Sequence, residues 1–390
     1  MSDSKPRPFR FPANRSVHMI AGGFAALYYL VAAAAPLDAG TVAWRDWVVV
    51  FEGHTDIRTN YEPGEDAWTM LLDRGDDGVP GQDDELLTPD RSILLLTEDA
   101  KRTLESDPSP GFSFLGEEGD SYYRIITDEI PGVVYLGFNG YGVPENVFEG
   151  NFGGEFFLEL IDFDGPGDFL LYARGADILM DTRGDEPPHG EKREFAREHS
   201  HENWFFREPG IYLLELRPYA TFDDAEGAVS QGDPHQFFFL VDPRPIEWWQ
   251  LDSFRDEARS PVANPGADAA GDGRQNLLAY ALGYPPTEAA DPYLPQPEVV
   301  QTDEGEHLSL VFRKPKGEPG RDDRGDVVYR VQISTDLDNW TDLETGPENW
   351  IEIDPAPDGV RRVRALDSDP LSEHERRFIR LTVELLPRED

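Results

Sequence analysis

The chain has 390 residues, 39% hydrophobic and 12% aromatic, with 77 acidic against 35 basic residues and a formal net charge of −42. Such an acidic surface repels nucleic-acid phosphates and anionic membranes, which excludes both as partners, and the apolar share is that of a folded protein rather than a disordered one. Cysteine is absent, so disulfides, thiolate metal sites and thiol nucleophiles are excluded, and any metal must be held by His, Asp, Glu or Asn.

Residues 1–39 read as an export signal. Lys5, Arg7, Arg10 and Arg15 form a basic leader, Met19 to Ala35 is an apolar stretch, and Ala33, Ala35 and Ala39 offer small-residue cleavage sites. The alternative is a retained membrane anchor, for which the stretch is short, since a spanning helix needs about 20 residues. From Trp44 to Val241 the chain is a succession of short strands. They include 47–51, 92–96, 122–126, 133–138, 155–163, 168–173, 178–180, 210–217 and 236–241, separated by Gly, Pro and Asp clusters. Irregular spacing without helical periodicity predicts an all-β unit over 40–244, an antiparallel β-sandwich of jelly-roll or immunoglobulin-like type.

A helix is expected over 246–258, then a Pro/Gly/Ala/Asp-rich stretch at 260–273 that marks a domain boundary by composition. Leu277 to Leu282 is a second short helix closed by Gly283. Residues 245–292 thus form a helical linker. Strands resume at 307–312, 327–333, 350–353 and 378–383, which makes 293–390 a second, smaller β-sandwich domain.

Two short segments carry the candidate chemistry. His199 and His201 stand at i and i+2, so an extended chain turns both imidazoles to one face, with Asn203 next on that face and Glu202 beside it. His54 and Asp56 repeat the i, i+2 spacing early in the chain. Three imidazoles with a carboxylate or water suit zinc. His54, Asp56, His199 and His201 are therefore the candidate ligands, with Asn203 and Glu202 supporting them, and copper or manganese fits the same ligand types. The plainer reading is a set of solvated polar side chains at turns. At 268–279, Asp268, Asp272, Gly273 and Asn276 fall on calcium-loop positions. Ala270 and Ala279, however, stand where ligands are required, which argues against calcium.

Several landmarks recur in order: Gly53-His54-Thr55-Asp56-Ile57, Pro110 to Gly116, Pro131 to Phe138, Gly165 to Tyr172, Asp181-Thr182-Arg183 and His199 to Phe205. On these, residues 45 to about 220 resemble the bacterial surface-anchored domain family known as actinobacterial surface-anchored protein, or choice-of-anchor M. The tail, with Asp272-Gly273-Arg274-Gln275-Asn276-Leu277 to Gly283, Tyr329 to Leu337 and Arg376 to Leu381, resembles a C-terminal accessory β domain of exported Verrucomicrobia-type proteins. The resemblance implies an exported, cell-surface protein, some of whose relatives are encoded beside metal-type transporters.

Three functions follow for comparison. The first is non-enzymatic binding of a metal ion by an envelope protein. The second is an adhesion module contacting glycans or other envelope proteins, with Trp204, Tyr141 and Trp44 as stacking residues. The third is a metal-dependent hydrolase with Glu202 or Glu198 as base. It lacks a nucleophile elbow, a His-Glu-x-x-His motif and a phosphate loop.

Overall fold

Alternation of apolar and polar side chains builds two facing sheets. In the computed structural model, Gly53–Glu62 and Ala67–Arg74 pair antiparallel. The first turns Ile57 and Tyr61 inward, the second Trp68, Met70 and Leu72. Residues 41–75, 85–184, 188–223, 227–316, 325–346, 349–353 and 359–388 are described; the export signal expected over 1–39 lies outside them.

Among the described residues the strands form four sheets, of thirteen, five, four and three strands. The five-stranded sheet runs in the order His199–His201, Val134–Gly142, Gly53–Glu62, Ala67–Arg74, Glu85–Leu87. It packs on the thirteen-stranded sheet, whose middle holds His235–Val241, Gly210–Thr221 and Glu155–Asp164. Between them lies an aromatic core that includes Phe138, Phe156, Phe169, Trp204, Phe206 and Phe239, all fully buried. At about 25 cal/mol per Å² of apolar surface, such rings dominate the stability of the sandwich. The all-β sandwich is as expected from sequence. Most pairings are antiparallel, but three are parallel: Trp47–Val50 with Ser92–Leu96, Ser92–Leu96 with His235–Val241, and Gly53–Glu62 with Val134–Gly142.

The continuous apolar run of His235–Val241 serves both faces of its sheet. Phe237, Phe239 and Val241 enter the first core, while Phe238 and Leu240 enter a second. That second core gathers Trp44 and Trp47, then Ile246, Trp248, Trp249 and Leu251 of the helix Pro245–Phe254. It also takes in Tyr280 of the helix Asn276–Leu282 and Leu310, Phe312, Tyr329 and Val331 of the C-terminal strands. The segment between the β units thus packs into this core through its two helices. Asp326 fastens it: its carboxylate accepts from Tyr280 Oη at 2.5 Å and from the Ile246 N–H at 3.0 Å. Gly283 closes the second helix in the left-handed region, φ +68°. In the C-terminal unit a four-stranded and a three-stranded sheet face one another, with Phe312 of one stacked near Tyr329 of the other. No described helix is long and apolar enough to cross a membrane.

Candidate metal centre

The outer face of the five-stranded sheet is polar because the inward-facing residues take the apolar side chains. On Gly53–Glu62 the inner row includes Thr55, Ile57, Thr59 and Tyr61, which leaves His54, Asp56, Arg58 and Asn60 on the outer row. Val134–Gly142 buries Val134, Leu136 and Phe138 and turns Tyr135, Gly137 and Asn139 outward. Register then places Asp56 opposite Gly137, and Gly137 opposite His201, with His54 opposite Tyr135 and His199 opposite Asn139. Asp56 and His201 therefore approach one another across a residue with no side chain.

The three histidines converge. A ring nitrogen from each of His54, His199 and His201 lies within 4.8 Å of the other two. His54 Nε2 and His201 Nε2 are 3.1 Å apart. His54 Nδ1 donates to the Gly75 carbonyl at 2.8 Å, and that bond fixes the tautomer with the Nε2 lone pair facing His201. Two imidazole nitrogens this close share either a proton or a cation. His201 is packed face to face on Tyr135, with centroids 3.8 Å apart and planes 3° off parallel. His199 stands at the exposed rim, its ring 6.1 Å from His54 and 5.7 Å from His201.

The carboxylate of Asp56 borders the same space. Its Oδ1 is 3.5 Å from His54 Nε2 and 3.9 Å from His201 Nε2. Its Oδ2 accepts from Asn139 Nδ2 at 3.2 Å. Asn139 Nδ2 also lies 3.5 Å from Asp73 Oδ2, to which Arg58 Nη1 donates at 3.1 Å. Burial, followed by the neighbouring His54, holds the His201 pKa down to about 4, so its ring is neutral near pH 7 and able to ligate. Burial also raises the Asp56 carboxyl above its usual range, opposed by the neighbouring His54 and the hydrogen bond from Asn139.

Glu202 and Asn203 do not support this centre, contrary to the sequence expectation. The extended run breaks at Glu202, and the chain leaves the five-stranded sheet to join the large one through Asn203–Phe206. Asn203 donates to the Tyr172 carbonyl at 3.2 Å. Glu202 lies 3.3 Å from Lys192 Nζ, which also pairs with Glu194 at 2.6 Å. Ser200 binds Glu194 too, so the residues between and after the two histidines face a separate ion-pair group. Glu198 is exposed. Of the aromatic residues considered for stacking on sugars, Trp204 is 0% exposed and Trp44 4%, both core. Tyr141 is half-buried and stacks near His199 at 6.3 Å.

Three residues of the centre were not singled out from sequence as part of it: Tyr135, Gly137 and Asn139. Their signal is the glycine inside an otherwise apolar strand, which marks close approach of a neighbour. The 268–276 loop closes on itself. Asp268 accepts from the N–H groups of Asp272 and Gly273, Asp272 from those of Arg274 and Ala290, and Asn276 Oδ1 from that of Ala269.

No known protein-family model matches the chain, and no curated protein matches it in sequence.

Proposed function

We propose that this is an exported, non-enzymatic protein of the cell envelope that binds one transition-metal ion, zinc before copper or manganese, through His54, His199 and His201. The observation that carries the metal reading is the convergence of three imidazoles from strands on either side of Val134–Gly142, two of them 147 positions apart in the chain. The Gly75 carbonyl that orients His54 is the kind of outer partner a ligating histidine has. Nitrogen donors favour zinc and copper over magnesium or calcium. Support for export comes from the basic and apolar character of residues 1–39. Against a glycan-contact role stands the burial of Trp204 and Trp44. Against a hydrolase stands the pairing of Glu202 with Lys192.

Elemental analysis of untagged protein tests the metal reading. One equivalent of zinc is expected in the wild type and none in His201→Ala. A metal-free wild type that takes up no ion on dialysis against zinc sinks it. Export is tested separately by mass spectrometry of the native protein, which should recover no peptide from before Ala35.

A further inference from the structure

We infer that Asp56 is a fourth protein ligand of this ion, aimed by Asn139 and admitted by Gly137, so that three imidazoles and one carboxylate enclose the cation and leave no open position. This rests on the three-histidine reading and extends it. Asp56 is 1% exposed, yet its Oδ1 has no hydrogen-bond partner. A buried carboxylate oxygen without a donor is costly, and such atoms in folded proteins almost always have a partner. Across the space stand the Nε2 atoms of His54 and His201, at 3.5 and 3.9 Å, themselves 3.1 Å apart. Ligands of a tetrahedral zinc ion at about 2.0–2.1 Å stand about 3.3–3.4 Å from one another. The three observed separations bracket that value, so shifts of a few tenths of an ångström bring all three atoms onto one ion. His199 supplies the fourth corner from the rim.

Two neighbours make this geometry specific. Asn139, also 1% exposed, occupies Asp56 Oδ2 and leaves only Oδ1 to turn to the histidines. Gly137 lies between Asp56 and His201 in the register. A Cβ there would stand 2.4 Å from Asp56 Oδ1 and 2.7 Å from His201 Cε1. Any side chain at 137 therefore pushes apart two ligands without itself being one. The chemical consequence is a site that holds a divalent ion of tetrahedral preference and has no water to activate. It is suited to retention or handover of the ion rather than to hydrolysis.

Cobalt(II) titration with visible spectroscopy, repeated with azide, tests this. The wild type should bind one equivalent and show the intense absorption of a four-coordinate cobalt centre, unchanged by azide. Asp56→Ala should lose more than about 100-fold in affinity, beyond the roughly 10–100-fold typical of an outer-shell change. Gly137→Ala should lose affinity similarly with all ligands present. A wild-type cobalt spectrum that shifts with azide means an open position and overturns the inference, and that reading does not depend on any variant folding. Unchanged affinity in a folded Asp56→Ala overturns it too, and both results leave the three-histidine site standing. A wild type that binds no cobalt would instead bring down the histidine site itself.

Discussion

Replacing Asn139 by Ala removes the one donor that holds Asp56 Oδ2, at 3.2 Å, without touching a histidine. The nearby Asp73 keeps its Arg58 partner at 3.1 Å, so the loss falls mainly on Asp56. Leaving a buried acceptor unsatisfied costs about 1–3 kcal/mol, and the metal-free variant should be less stable by that amount in urea unfolding followed by tryptophan fluorescence. Freed of Asn139, the carboxylate no longer presents Oδ1 in one orientation. Loss of an outer partner of this kind weakens metal binding about 10–100-fold, or about 1.4–2.7 kcal/mol. Competition with a chromogenic zinc chelator measures it. A variant that loses stability while competing with the chelator as the wild type does would refute the positioning role. It would reduce Asn139 to a spacer between two carboxylates.

Other substitutions and conditions test the rest. Burial holds His201 near 4 against 6.5 in the unfolded chain, so the unfolded state binds more protons between those values. The metal-free protein should lose stability as pH falls from about 6.5 to about 4 and no further on this group's account, and His201→Gln should flatten that part of the Tm–pH curve. Trp204→Ala should cost about 3–5 kcal/mol, because the ring is fully buried and stacks 5.2 Å from Phe138; a stable variant with altered sugar binding would revive the glycan reading. Asp326→Ala strips Tyr280 Oη and the Ile246 N–H of their acceptor. Limited proteolysis should then cut within 255–275 faster than in the wild type, and an unchanged digestion pattern would show that this carboxylate does not fasten the helical layer.

Sequence pattern reached most of the strands that carry continuous apolar runs. Ser92–Leu96 and Trp350–Ile353 agree residue for residue with the reading, and His235–Val241 differs by one position. It missed strands whose burial is carried by polar or charged residues. His189–Phe195 buries Lys192 and Glu194 as an ion pair, and no hydrophobic period marks it. Ala67–Arg74 does carry the signature of a half-buried strand, in alternating Trp68, Met70 and Leu72. At the site, the i, i+2 spacing placed His54 with Asp56 and His199 with His201 on shared faces. It could not show that Val134–Gly142 lies between the two pairs. That intervening strand supplies Gly137, which opens the gap, and Asn139, which aims the carboxylate; both come from long-range pairing. Extrapolating the same spacing to Asn203 failed because the chain changes sheets at Glu202, a break that local periodicity does not encode. The Pro/Gly/Ala/Asp-rich composition of 260–273 marks a boundary, and it does not reveal that the helices on either side carry Trp249 and Tyr280 into a shared core.

The most direct test is anomalous diffraction at the zinc absorption edge from crystals of the full chain grown with zinc. The account predicts one strong peak about 2.0–2.1 Å from His54 Nε2, His201 Nε2, a ring nitrogen of His199 and Asp56 Oδ1. No peak between those four side chains, with the His54 and His201 rings still hydrogen-bonded to each other, would contradict it.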